Sequence, residues 1–458
     1  MRGYNSIIFL SILCIFSFTC KENPAEQETF NPDFIVPSIT PTGNENYLNN
    51  DSEVIYDQES LHTFELLVPE DALTFLDNDP AAEEYVEGML IFNEDTLSPV
   101  GIRYKGSIGA FVGCLSGRDF SNPSGQKTCT KLSMKVKIDW EGRDEKFYGL
   151  KKLQFHSQNN DPSQMHERLG YWLFREMGVP APRSVHARLM INNEYSGLYA
   201  LTEQIDSRFI KHNFDDDDGN LYKEVWPVDM IGNPFPAQVY LDALKTNKKD
   251  NPVPTIIRNF GQNISNANDT ELPNVIEQNM NLDQILSLVA VDRLIRNDDG
   301  PFHWYCNSGV CSNHNFYWYE EPGNETMHLI PWDLDNAFQN ITGDSNPVTP
   351  VPDAFGETRN DCKPFGYGPW NIQQRSATCD KIIAGWAAFM PEYLQKRTQL
   401  INGPFSEARI NEVLQAWTHQ IREATLEASN IHNDAITISE WEFSLDELKY
   451  QVEFARNN

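Results

Sequence analysis

Ile330-Pro331-Trp332-Asp333-Leu334-Asp335-Asn336 places two carboxylates two residues apart, behind a rigid Pro-Trp pair and at the end of the apolar run His328-Leu329-Ile330. Read as a strand, whose side chains alternate between faces, this stretch puts Asp333 and Asp335 on one face, close enough to share a cation. Upstream, a helix-like run over residues 286–295 empties into Arg296-Asn297-Asp298-Asp299-Gly300, a polar loop offering Asn297, Asp298 and Asp299. Between the two lies His314-Asn315-Phe316-Tyr317-Trp318-Tyr319, which reads as strand. Two acidic clusters separated in this way can hold a nucleotide's metal and orient an acceptor hydroxyl. A single loop aspartate more often caps a helix or turn. It is the joint constellation that points to a site.

Composition narrows the field. A chain of 458 residues can bury a sizeable core in two or three lobes, or in one large domain with insertions. With 36 basic against 66 acidic residues the net charge is −30, which argues against nucleic acid as a partner. Apolar content of 40% with 12% aromatics is that of a globular protein, well away from disorder.

The N-terminus reads as an export signal. Arg2 precedes an apolar run over residues 7–18, too short to span a membrane and suited to a signal-peptide core. It stops at Ser17-Phe18-Thr19-Cys20, and Lys21-Glu22-Asn23 opens a polar tail. This resembles a bacterial lipoprotein signal, with residues 1–19 removed and Cys20 lipidated, although Ser17 and Thr19 depart from the preferred Leu and Gly or Ala. Plain secretion is the alternative. Residues 20–50, rich in Pro, Asn, Glu and Thr, read as a flexible tether. No later stretch has the roughly 18 apolar residues of a membrane span, so the expected membrane contact is a lipid anchor alone, on the periplasmic or cell-surface side.

Cysteine usage agrees with export. Apart from Cys14 and Cys20, the cysteines fall into three local pairs, Cys114 with Cys129, Cys306 with Cys311 and Cys362 with Cys379, each enclosing a loop rich in Gly, Ser, Asn or Pro. Loop-closing disulfides are expected in an oxidising compartment, and the Cys-x-x-Cys spacing of a zinc site is missing from these pairs.

Along the chain, alternation predicts strands near 63–67, 89–92 and 101–107, with a short helix at 71–76. In Lys131-Leu132-Ser133-Met134-Lys135-Val136-Lys137-Ile138 the apolar residues face a core while Lys131, Ser133, Lys135 and Lys137 face away. That lysine row is either a solvated edge or a surface turned toward phosphates. Asp161-Pro162-Ser163 supplies an N-cap and an N1 proline for a helix carrying Glu167 in its first turns, Leu169, Trp172, Leu173 and Met177 at helical spacing, and Gly178 as its stop. Residues 184–190 and 195–201 alternate around Ile191-Asn192-Asn193-Glu194, a hairpin signal. The acidic run at 215–218 fails as a calcium loop, because aligning Gly219 to the obligatory glycine puts Phe214 where a carboxylate is required. It reads as a solvated turn. A helix is expected at 283–295. Beyond Asp335 comes a loop rich in Pro, Gly and Asn, and residues 381–458 read as amphipathic helices.

Several segments together resemble the spore-coat protein H (CotH) family of atypical secreted kinases. They are Lys152-Leu153-Gln154-Phe155 with Asp161-Pro162-Ser163, Asn192-Asn193-Glu194-Tyr195-Ser196-Gly197-Leu198-Tyr199 with Glu203, Gly219-Asn220-Leu221-Tyr222-Lys223, Asn297-Asp298-Asp299-Gly300, His314-Asn315, and Pro331-Trp332-Asp333-Leu334-Asp335. They occur in the family's order over residues 55–450. The resemblance implies an α+β, divergent protein-kinase-like fold over residues 51–458, with a β-rich N-lobe over about 51–225 and a mostly helical C-lobe over about 226–458. The lobes enclose ATP and Mg²⁺ or Mn²⁺. The implied activity is phosphorylation of Ser or Thr on exported or surface proteins.

Carried over by position, Asp299 is the expected catalytic base, Asp333 the metal-binding aspartate, Asp335 a second ligand, and Asn315 a completing one. For the phosphate-pairing lysine the analogy suggests Lys135, or Lys137, with Glu167 as its partner. Three departures stand out: Asp298 occupies a position where the family often has an aromatic residue, an insertion holding Cys306 and Cys311 lengthens the path between Asp299 and Asp333, and the family's basic, Gly- and Ser-containing N-lobe loop has only a loose counterpart in residues 103–107. A non-catalytic surface binding protein on the same fold is the main alternative, and a glycoside hydrolase using Asp299 and Asp333 a more distant one.

Overall fold

Alternating apolar residues close the first half of the chain into a barrel. In the computed structural model, which describes residues 46–106, 108–111, 113–119, 122–297, 299–339, 362–367 and 371–457, seven strands take part. They are β1 (His62–Leu67), β2 (Val86–Phe92), β3 (Asp95–Tyr104), β4 (Met134–Lys137), β5 (Lys152–His156), β6 (Ser184–Ile191) and β7 (Glu194–Thr202), in the order β1-β2-β3-β4-β5-β7-β6. β6 returns to β1 in parallel, with His62 opposite Ala187, and the sheet closes on itself. Phe64, Leu66, Leu90, Phe92, Val136, Leu153, Phe155 and Leu189 fill the interior. The expected signal peptide, Cys20 and Asp298 lie outside the described residues.

Closure leaves no free edge at β4, which pairs with β3 on one side and β5 on the other. The solvated-edge reading of its lysines is therefore corrected. Lys135 and Lys137 are only 5% and 8% exposed, and Lys137 Nζ lies over the rings of Tyr85 and Trp140.

The β6–β7 hairpin turns through Asn192 and Asn193, with φ of 52° and 67°. Two consecutive left-handed residues are what a two-residue hairpin turn requires, and asparagine tolerates them. Between β5 and β6 runs the helix His166–Glu176. It starts later than the sequence suggests, because Asp161 caps a turn that spans Pro162. The Asp161 carboxylate accepts from the backbone N–H of Ser163, Gln164 and His166 at 3.0, 3.0 and 2.8 Å. Gly178, at φ +74°, lets the chain leave the helix.

The second half is mostly helical around two small sheets. One has the order β12-β11-β8, from β8 (Leu221–Lys223), β11 (Phe316–Glu321) and β12 (Thr326–Pro331). The other has the order β10-β9-β14-β13, from β9 (Trp304–Asn307), β10 (Val310–Ser312), β13 (Phe365–Tyr367) and β14 (Ile372–Arg375). Leu282–Leu294, capped by the Asn281 side chain, is buried along most of its length. Lys381–Ala387, Met390–Asn402, Glu407–Ile431 and Ile438–Asn457 close the fold around Trp318, Trp386, Trp417 and Trp441. The last two helices reach back to the barrel side: Trp417 packs edge-on against Trp172, and Trp441 Nε1 donates to the Ser163 carbonyl at 3.1 Å.

All three expected disulfides are present. Cys306–Cys311 ties β9 to β10. Among the described residues no helix is long and apolar enough to cross a membrane. The architecture is α+β.

Candidate active site

β12 ends at Pro331, so Asp333 and Asp335 do not share a strand face as the sequence suggested. They sit on the loop that follows. Asp333 has φ 57°, a left-handed conformation in which aspartate is tolerated, and its backbone N–H donates to Tyr171 Oη of the helix His166–Glu176 at 3.0 Å. The same helix holds the next turn of the loop, where His166 Nδ1 lies 2.9 Å from the Asp335 carbonyl oxygen. Leu334, between the two aspartates, packs into the core opposite Gly170.

Asp299 enters from the loop after Leu282–Leu294. Tyr305 Oη donates to Asp299 Oδ1 at 2.9 Å, and Asn315 Nδ2 donates to Oδ2 at 2.9 Å and to the Asp299 carbonyl at 3.0 Å. The Trp332 N–H donates to the Asn315 carbonyl at 3.1 Å, joining the two acidic loops through one residue. His303 stacks on Tyr305 with ring centroids 3.8 Å apart.

Opposite them stands a cation. Lys105, directly after β3, places Nζ 3.1 Å from Gln154 Oε1, 2.7 Å from His156 Nε2 and 5.6 Å from the centroid of the Trp332 ring. His156 Nδ1 lies 2.8 Å from both carboxylate oxygens of Glu167. The structure thus joins Glu167 to Lys105. Lys135 lies one row further along the same outer face, in register with Arg103 and Gln154, and Lys137 one row beyond.

The electrostatics reflect this crowding. Burial raises the Asp299 pKa to about 6, against the opposing influence of His314 and the Tyr305 hydrogen bond. Burial, then Glu167, raises Asp333, while Lys105, Lys223 and His156 in its protonated form pull it down. Asp335 is pushed well up by burial and then by Asp333, Glu167 and Asp299. Burial lowers Lys105 to about 8, with Asp333 and Glu167 working to keep it charged.

Carboxylates whose charge is this poorly compensated suit a divalent cation. Among the described residues no group of three or more Asp, Glu, His or Cys side chains is placed to hold a metal ion by itself. Asp333, Asp335 and the Asn315 amide are hard oxygen donors of the kind Mg²⁺ or Mn²⁺ takes, and such ions fill the rest of their shell with water and phosphate oxygens. The residues fit an ion shared with a polyphosphate.

The sequence profile of the family described as CotH kinase protein matches residues 102–458. The chain belongs to the CotH kinase family. Lys105, His156, Glu167, Asp299, Asn315, Asp333 and Asp335 all lie within the CotH match, whereas β1 and β2 precede it. An inner spore coat protein H-like protein of Bacillus subtilis (strain 168) is 37% identical over 62 residues, which is 14% of this chain and 19% of that protein. The Helicobacter pylori proinflammatory kinase CtkA aligns with 74% of this chain and 98% of its own at 11% identity, with a TM-score of 0.23, too loose a likeness to compare sites.

Sequence reasoning passed over Lys105, His156 and Tyr305. Lys105 was legible in part: Arg103 and Lys105 alternate with the buried Ile102 and Tyr104 at the head of the Gly- and Ser-containing run. Nothing local marks His156 or Tyr305, whose partners lie on other elements.

Proposed function

We propose that the chain transfers the γ-phosphoryl group of ATP to Ser or Thr hydroxyls of exported or surface proteins. The observation that carries this reading is the convergence of Asp299, Asp333 and Asp335 on one side with Lys105, linked to Glu167, on the other. Phosphoryl transfer demands little covalent chemistry of a protein, and charge neutralisation and alignment supply most of the acceleration. Asp299, held at both oxygens, orients the acceptor hydroxyl and takes its proton. The Lys105 ammonium pairs with phosphate oxygens. Asp333, Asp335 and Asn315 are the residues that would hold Mg²⁺ or Mn²⁺, and the ion would supply neutralisation of phosphate charge. The three disulfides support an exported protein, with attachment to a membrane through lipidated Cys20 as part of the proposal.

The purified chain is to be incubated with radiolabelled ATP and Mg²⁺ or Mn²⁺, alone and with surface-protein extracts. Label should enter protein hydroxyls, and Asp299→Asn and Asp333→Asn should each reduce incorporation by at least about a hundredfold. Undiminished transfer by both variants would remove the assignment.

A further inference from the structure

Between Lys105 and Glu167 stands His156, the last residue of β5. Its Nε2 is 2.7 Å from Lys105 Nζ and its Nδ1 is 2.8 Å from each Glu167 carboxylate oxygen. An ammonium can only donate, and an ionised carboxylate can only accept. One proton arrangement satisfies both neighbours: a neutral ring with Nδ1–H directed to Glu167 and the Nε2 lone pair directed to Lys105. The other contacts are consistent with it. Thr202 Oγ1 donates to Glu167 Oε2 at 3.3 Å, and Gln154 Oε1 accepts a second N–H of Lys105 at 3.1 Å. Two of the three ammonium protons are thereby directed by the barrel.

We infer that His156 is a positioning residue for phosphoryl transfer, through which Glu167 of the helix His166–Glu176 holds the Lys105 ammonium beside Trp332 and the Asp333 loop. This rests on the kinase reading for its consequence, though not for its geometry. The imidazole lengthens the link between lysine and glutamate by the width of a ring. The helix therefore governs the lysine at one remove, and a shift that parts Glu167 from His156 frees the ring and leaves Gln154 as the ammonium's remaining fixed partner.

The test is a triple-mutant cycle on the full chain. Lys105→Met, Glu167→Gln and their combination are made with His156 present and again with His156→Leu, and melting temperature and ATP-dependent kinetics are measured for each. With His156 present the lysine and glutamate exchanges should be strongly non-additive in melting temperature, and with His156→Leu they should become additive. His156→Leu should lower kcat by about tenfold. His156→Gln, whose amide offers a donor and an acceptor at similar spacing, should restore most of that loss. Lysine–glutamate coupling that persists unchanged without His156, or a kcat indifferent to His156→Leu, overturns the inference. So does a folded His156→Gln no more active than His156→Leu. If the native chain transfers no phosphoryl group from ATP, the kinase reading fails, and the coupling in melting temperature still decides whether His156 joins the two.

Discussion

Asp299 can act as a base only while it is ionised, and burial has moved that threshold up to about 6. The rate should therefore hold above that pH and fall about tenfold per unit below it, as a pH profile of kcat/KM would show. Tyr305→Phe sharpens the expectation. The tyrosine hydroxyl donates to Oδ1 and favours the charged form, so its removal should move the acid limb toward neutral pH. An unmoved limb would mean that another group sets it. At this scale the sequence was informative about residue type and less so about placement. Asp333 and Asp335 were read as strand neighbours because their spacing allows it, yet the left-handed turn at Asp333 is stabilised by Tyr171 from a helix 162 residues away in sequence. The strand lysines attracted notice by their alternation, while Lys105 comes under the electrostatic influence of Asp333 and Glu167 because it stands directly after β3.

The helix His166–Glu176 connects the machinery. His166 meets the Asp335 carbonyl, Glu167 meets His156, and Arg168 donates to Gln420 and Gln58 while lying over Trp417. Its close approach to the loop carrying Asp333 and Asp335 depends on Gly170, where an added Cβ would stand 2.8 Å from Leu334 Cδ1. Gly170→Val should cost about 1–3 kcal/mol of stability and reduce activity by displacing Leu334 from between the two aspartates, measurable by denaturant unfolding and transfer rate. The Cys114–Cys129 link closes a loop with a sequence separation of 15. Its double replacement by Ser should cost about 2–4 kcal/mol. The helices read at 71–76, 283–295 and beyond 381 and the β6–β7 hairpin were legible because apolar spacing, caps and the paired asparagines agreed, whereas Thr255–Asn266 and Leu272–Asn279 went unread. β13 and β14 were not, since three- and four-residue strands within a run of Pro, Gly and Asn are too short to display a period.

Taken whole, the chain buries carboxyls at a cost that acid relieves. Burial raises Asp292, Asp299 and Asp380 to about 6 and Glu320 to about 7, so the folded state binds protons in a range where the unfolded chain has released them. Stability should then fall as pH rises through 6 to 7. His186, lowered to about 3 by burial and by Arg168, works the other way, losing stability as pH drops below 6.5. The carboxyls outnumber it, and the net charge of −30 adds to the same trend. Melting temperature without metal should be higher near pH 5.5 than at pH 8, and Mg²⁺ should narrow the gap. Alternating runs before residue 202 and amphipathic spacing after 381 were legible as periodicity, and the α+β division came from the family resemblance, but barrel closure was legible in neither, because β1 and β6 are joined by no local signal.

That closure sets a schedule for folding. β1 pairs with a strand whose first residue is Ser184, and Thr130 beside the barrel is hydrogen-bonded to Asp434. Contacts of such long sequence separation form slowly, since the intervening chain must be ordered first. On a chain emerging from its N-terminus, the first strand waits with an open edge until the sixth arrives, and the barrel side gains its last supports only after residue 434. Chaperone dependence should be greatest in that interval, when the apolar inward faces of β1 and β2 have been made and have nowhere to go.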